Sequence, residues 1–315
     1  MPACRVVFSL FVNSVAAFVV AMCCAVMAGS LTTTAAAQEV TLLHEGITLN
    51  ADLEFAPGKT MTDGMVLMTH GGLAHRDMET IIYLRRLLKE AGYNTLAINL
   101  SLGLDNRHGM YDCQQTHRHR NDDAVAEIAA WMAWLQGQGA QQVILFGHSR
   151  GGAQTALYAA ERDSDRVEAV VLLAPAIADN TSAATYAQRY GKPLAPLLQK
   201  ARQLVHDGQG DSVLEQIGLL TCRETHATAN SFVAYYGQDP RLDTPYLIPR
   251  IHKPVFVAVA GSDAVVKNLD QKIASLVDGQ QVQMKVIDGA DHMFRDLYAD
   301  DAVESIVEFL QVLNE

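Results

Sequence analysis

The sequence predicts an α/β fold in which a mostly parallel central sheet is covered by helices on both faces, with a helical lid inserted late in the sheet order. Three observations predict it. From residue 65 to residue 173, short apolar runs alternate with helix-spaced segments, the order that builds crossover units and a parallel sheet. The alternation lapses over residues 176–249 and resumes from residue 255 to residue 313. A serine bracketed by glycines, in Gly147-His148-Ser149-Arg150-Gly151-Gly152, falls where one apolar run gives way to a helical one.

The elements follow in order. Residues 40–43 and 47–53 form an antiparallel pair turning at Glu45-Gly46. Residues 65–68 are a short apolar run of the kind that is buried on both faces of a sheet. Ile81, Ile82, Leu84, Leu87 and Leu88 recur at helical spacing within residues 78–91, and Gly92 stops that helix. Residues 95–100 are the next strand. A helix spans 122–136, with Asn121 as its cap and Gly137 and Gly139 at its end. Strand 143–146, helix 150–161 and strand 167–173 come next. Within the lid, 185–205 and 212–220 are helical pieces, and nothing there has the pattern of a strand. Strand 255–260, a helix near 269–277, strand 282–287 and a final helix over 295–313 complete the chain.

Composition narrows the function. The chain has 315 residues, 49% of them hydrophobic, enough for one large globular domain over 38–315. Its net charge is −11, and because Arg5 is the only charged residue in the first 37, the remainder carries −12. Such a surface repels phosphate backbones, which argues against a nucleic-acid partner. Arg5, the apolar run 6–27 and the Ala35-Ala36-Ala37 end have the order of a secretory signal, so cleavage after Ala37 and a periplasmic or secreted protein are expected. The alternative is an N-terminal membrane anchor. Outside that segment no apolar run is long enough to span a bilayer, so no stable membrane insertion is expected after cleavage. Removing it leaves Cys113 and Cys222, which an oxidising compartment would pair; two buried free thiols are the alternative.

The glycine-bracketed serine carries the chemistry. A serine on a sharp strand-to-helix turn adopts strained backbone angles, and small residues two before and two after it let strand and helix approach. Here the chain resembles the α/β-hydrolase superfamily, over nearly everything from about residue 40 onward, and the motif resembles that superfamily's nucleophile elbow. The resemblance implies Ser149 as nucleophile, Asp263 in the loop after strand 255–260 as the acid, and His292 in Asp288-Gly289-Ala290-Asp291-His292-Met293-Phe294 as the base. It also implies that the amides of Gly72, in His70-Gly71-Gly72, and of Arg150 face the developing oxyanion, with Leu73 as an alternative donor. Asp179 is the reserve acid, and Asp288 and Asp291 are loop solvators. The expected activity is hydrolysis of a small-molecule carboxylic ester or thioester through an acyl-enzyme, with no cofactor. A peptidase or amidase, and a noncatalytic binder, are the rivals.

A second cluster, His108, Asp112, Cys113, His117, His119, Asp122 and Asp123, crowds the connection before the helix at 122. It could ligate zinc or shape the substrate pocket. With carboxylates placed to meet a helix N-terminus, a hydrogen-bonded structural loop is the preferred reading. Tyr235 and Tyr236 are read as core residues, with pocket walls as the alternative.

Overall fold

A computed structural model of the chain describes residues 37–162 and 164–313. The expected signal segment, apart from Ala37, lies outside the described residues. Eight strands form the main sheet: β1 (Gln38–His44), β2 (Ile47–Glu54), β3 (Met65–Thr69), β4 (Thr95–Asn99), β6 (Val143–His148), β7 (Val167–Leu173), β10 (Val255–Ala260) and β11 (Val282–Ile287). Their order is β1-β2-β4-β3-β6-β7-β10-β11, and every pairing from β4 to β11 is parallel. The N-terminal pair is antiparallel, as its turn at Glu45-Gly46 requires.

Period-two alternation distributes each strand's side chains between two cores. Met65 and Leu67 of β3 join one; Val66 and Met68 join the other. The first core is covered by α2 (Asn121–Gly137), through Ile128, Trp131 and Leu135, and by α3 (Arg150–Glu161), through Leu157. The second is covered by α1 (Glu79–Glu90), through Ile81, Leu84 and Leu88, and by α9 (Leu297–Val312), through Ile306, Phe309 and Leu310. Arg85 of α1 reaches Asp52 of β2 at 2.8 Å, and Lys89 reaches Glu54 at 2.7 Å, pinning that helix to the antiparallel edge. The helix expected near 269–277 is α8 (Leu269–Ile273) followed by a 3-10 turn, Ala274–Leu276.

Two local expectations are corrected. Asn121 does not cap α2 but is its first residue, and Arg120 precedes the helix. The Asn121 side-chain amide donates to the Ala234 carbonyl and accepts from Gln154, while the Asp123 carboxylate takes the Arg120 N–H at 2.8 Å. The second correction concerns residues 212–220, which are not helical. The insertion between β7 and β10 contains α4 (Ala183–Tyr190), α5 (Leu194–His206), α6 (Ala229–Tyr236) and α7 (Thr244–Leu247), but also a hairpin of β8 (Val213–Leu219) and β9 (Cys222–Thr228). Gln216 sits at φ 52, and the register slips between Leu214 and Ile217. That irregularity moves the buried positions from a spacing of two to Leu214, Ile217 and Leu219, which in the sequence imitates a helical face.

The hairpin extends into the region of the second cluster. Strand β5 (Thr116–His117) pairs with β9, making a three-stranded sheet of loop and insertion together. Cys113 and Cys222 are disulfide-bonded, with Cα atoms 5.6 Å apart. The Thr225 hydroxyl donates to the Cys113 carbonyl at 2.6 Å, and the Ser231 hydroxyl to that of His119 at 2.8 Å.

The disulfide closes a loop spanning a sequence separation of 109 residues. Disulfides typically stabilise a fold by about 2–4 kcal/mol, and chain entropy places a loop of this length at or above the top of that range. A Cys113→Ser/Cys222→Ser protein should therefore unfold at clearly lower denaturant than the oxidised parent, and reducing the parent should reproduce the loss. Equal midpoints would mean that the crosslink constrains nothing the fold does not already hold.

Candidate active site

Ser149 stands between the end of β6 and the first residue of α3, at φ 58 and ψ −124. A non-glycine residue there is strained, and the surroundings hold it. Its N–H donates to the Leu173 carbonyl, and its carbonyl accepts from Ala153 and Ala176. The flanking glycines are required by close approach. A Cβ on Gly147 would lie 2.5 Å from the Gly151 carbonyl oxygen, and one on Gly151 would lie 2.6 Å from that of Thr69 and collide with that of His70. The turn after β3 passes directly over the serine, since a Cβ on Gly71 would stand 2.7 Å from the Ser149 Cβ.

His292 and Asp263 arrive from the loops after β11 and β10. His292 Nε2 lies 2.8 Å from Ser149 Oγ, and Nδ1 lies 2.7 Å from Asp263 Oδ2. The other carboxylate oxygen, Oδ1, accepts the N–H groups of Val265 at 2.6 Å and Val266 at 2.8 Å. Burial pushes the Asp263 carboxyl up, but the His292 hydrogen bond and charge and those two amides outweigh it and leave it below its ordinary range. An ionised carboxylate only accepts, so Nδ1 carries the proton and Nε2 is left to accept from the serine hydroxyl. Asp263 is thus fixed by His292 on one oxygen and by two backbone amides on the other.

Ser149, Gly72, Leu73, Arg150 and His292 all line one cavity of about 530 Å³. Gly72 has φ 52. Arg150 opens α3, where the first N–H groups have no partner inside the helix. The carboxylate bonded to His292 is that of Asp263; Asp179 instead pairs with Lys272 at 3.2 Å and is largely exposed. Asp291 accepts the Met293 N–H and so shapes the histidine loop.

The second cluster disperses. His108 bonds to Glu39, Asp122 to Arg241, Asp123 to Arg120, and Cys113 is in the disulfide. His119 lies 3.1 Å from the Tyr235 hydroxyl and 3.4 Å from Glu127. Among the described residues no three His, Cys, Asp or Glu side chains gather as a metal site. Tyr235 and Tyr236 are buried core residues, and the Arg150 guanidinium stacks 5.1 Å above the Tyr235 ring. The residues with no sequence signal are the cavity walls from distant segments, Met110, Asn180, Arg189 and Arg223. No local motif marks them.

Three further histidines are held uncharged. Burial drives His148 to about 4, with the His292 charge adding to it, and drives His117 to about 3. It also drives His70 well below its ordinary value, where the ring accepts the Leu100 N–H and donates to the Gly71 carbonyl. Because the unfolded chain protonates near the ordinary value of about 6.5 and these folded sites do not, the unfolded state binds more protons on acidification. Stability should fall as pH drops from about 7 to about 5, by roughly 1.4 kcal/mol per pH unit per histidine below the unfolded value. Denaturant titrations across that range check it; a flat midpoint would mean the rings are charged or exposed.

A family profile described as serine aminopeptidase, S33, matches residues 60–296. A search of the curated proteins finds no match. Solved structures similar to this chain include Est1E from Butyrivibrio proteoclasticus, 18% identical with a TM-score of 0.61, covering 87% of this chain and 98% of that one. Another is the monoacylglycerol lipase of Paleococcus ferrophilus, 19% identical with a TM-score of 0.59, covering 89% and 100%. At these identities the likeness is one of fold. Since the profile runs from ahead of β3 through the His292 loop, taking in every element that carries the hydrogen-bonded line, the chain belongs to the serine aminopeptidase S33 family of the α/β-hydrolase superfamily.

Proposed function

We propose that the protein is an exported serine hydrolase that cleaves a carboxylic ester through an acyl-enzyme. The observation that carries this reading is the continuous line of hydrogen bonds from Asp263 through His292 to Ser149, opening on a cavity. His292 Nε2 takes the Ser149 proton as Oγ bonds to the ester carbonyl carbon. The resulting oxyanion is held by the Gly72 and Arg150 amides, a kind of donor worth about 3 kcal/mol in the barrier. The C–O bond to the alcohol then breaks, and His292 returns the proton to the departing oxygen. Water repeats the sequence on the acyl-enzyme, releasing the acid and restoring the serine. Asp263 stays ionised throughout and stabilises the imidazolium.

The family's description as aminopeptidases favours one second reading, cleavage of a peptide from its free amino end. Such a substrate brings a cation. The cavity wall holds three arginines and no aspartate or glutamate, so it offers that cation no counter-charge. This supports an ester over an aminoacyl amide.

Export is supported by the order Arg5, apolar 6–27, Ala35-Ala36-Ala37, and by a disulfide that persists in oxidising compartments. N-terminal sequencing of the exported protein should read from about Gln38. A chain that retains residues 6–27 and sediments with membranes would establish an anchor instead.

Ser149→Ala should abolish covalent labelling by a fluorophosphonate and lower ester turnover by about a million-fold, with His292→Ala nearly as severe and not additive to it. Asp263→Asn should cost about ten-thousand-fold, because it leaves the imidazole in the wrong tautomer, whereas Asp179→Asn should be mild. Full ester turnover by purified Ser149→Ala would overturn the assignment.

A further inference from the structure

The wall of the cavity that holds Ser149 has a charge opposite to that of the protein. The chain carries 35 acidic and 24 basic residues, for a net charge of −11, yet the cavity is lined by Arg150, Arg189 and Arg223 and by no aspartate or glutamate. Among the described residues, no carboxylate forms an ion pair with any of these three arginines. Arg189 spends one N–H on the Leu220 carbonyl at 3.2 Å. Arg150 has only the face of Tyr235 beneath it, and burial holds its guanidinium below the usual range. The rest of the wall is largely apolar, from Leu73, Met78, Met110, Leu220, Val266 and Met293. Arg189 and Arg223 come from α4 and β9 of the insertion, whereas Ser149 and His292 belong to the sheet loops. A substrate that reaches both therefore has an apolar body and two polar ends.

We propose that the substrate is an ester that also carries a carboxylate, with Arg189 and Arg223 as the residues that select it. This rests on the assignment of Ser149 as the nucleophile of an ester hydrolase. The scissile carbonyl sits at Ser149, the apolar body crosses the cavity, and the carboxylate meets the guanidinium groups that the fold leaves without acidic partners. Guanidinium is suited to this because its planar N–H pairs match a carboxylate two at a time. Arg189 is half-buried and Arg223 exposed, so the pairing is open to screening by salt. Hydrolysis consumes one water, and the acid released carries two carboxylates when the charge lies on the acyl side. The disulfide joining Cys113 to Cys222 fixes the start of β9, next to Arg223, so the selecting residue is held on a braced strand.

The test compares two esters that differ only in a terminal group, 4-nitrophenyl hydrogen glutarate and 4-nitrophenyl pentanoate. The wild-type protein should favour the glutarate ester in kcat/KM by about tenfold at low ionic strength, the effect of one well-placed charged hydrogen bond. Added salt should reduce that ratio. Arg189→Gln/Arg223→Gln should bring the ratio to about one, and Arg223→Glu should bring it below one, while Arg223→Lys should retain part of it. Equal kcat/KM for the two esters, or a ratio unmoved by these substitutions, overturns the proposal and leaves the hydrolase assignment standing. Calorimetry on the Ser149→Ala protein with monomethyl glutarate and methyl pentanoate reads the same preference without turnover. About tenfold tighter binding of the anion supports the proposal, and equal binding overturns it, even where fluorophosphonate labelling fails and the nucleophile assignment falls.

Discussion

The approach of α3 to the end of β6, with Ser149 strained at the junction, is the constraint on which the rest of the site depends. A positive φ in a serine is unfavourable by about 1–3 kcal/mol and persists only where packing over-determines it. Here the over-determination is visible in three places. The sheet supplies the Leu173 carbonyl to the Ser149 N–H, and the serine carbonyl is held by two amides. The helix lies so close to β3 and β6 that neither Gly147 nor Gly151 has room for a Cβ. The turn at Gly71 closes the third side. The same closeness brings the Gly71 turn against the serine side chain, where a Cβ would lie 3.2 Å from its Oγ.

What surrounds that hydroxyl is built from two halves of the chain that are far apart in sequence. The loop after β4 and the insertion after β7 share a small sheet, a disulfide and hydrogen bonds from Thr225, Ser231 and Asn121. Both also contribute to the cavity wall, Met110 from the first and Leu220, Thr221 and Arg223 from the second. The wall is thus a crosslinked unit. Its shape is set by contacts that do not involve Ser149, so the cavity can differ between relatives while the elbow stays the same.

The core of the fold and the hydrogen-bonded line were legible because each is encoded locally. Buried parallel strands appear as short apolar runs, and residues 65–68, 143–146 and 255–260 have no competing pattern. Ser149 and Asp263 each follow such a run within a few residues, and His292 follows the alternating edge strand 282–287, so the strand positions carry the side chains with them. The hairpin in the insertion was not legible, because its irregularity at Gln216 converts a strand's spacing into a helix's. Asn121 has a cap's residue type without its role for a related reason: its side chain serves Ala234 and Gln154, partners from other segments that no local window contains. Arg189 and Arg223 are harder still. Each is an ordinary charged residue on an amphipathic element, and only the tertiary fold gathers them at one cavity.

Charge around the serine is arranged by burial more than by pairing. His70 and His148 both flank the site, and both are held neutral by desolvation; His70 positions the Gly71 turn, while His148 donates from Nε2 to the His292 carbonyl. His292 alone has a carboxylate on one nitrogen and the serine hydroxyl on the other. In the proposed mechanism a proton leaving Ser149 has one acceptor whose charged form is compensated, since a charge on either neighbouring ring would be buried without a counter-ion. Asp263 supplies that compensation from behind, its side chain only 3% exposed, so the negative charge faces the imidazole and not the cavity. The same arrangement keeps the cavity wall free of acids: Asp263 stands behind His292, and in the proposed chemistry the imidazole screens it from the substrate.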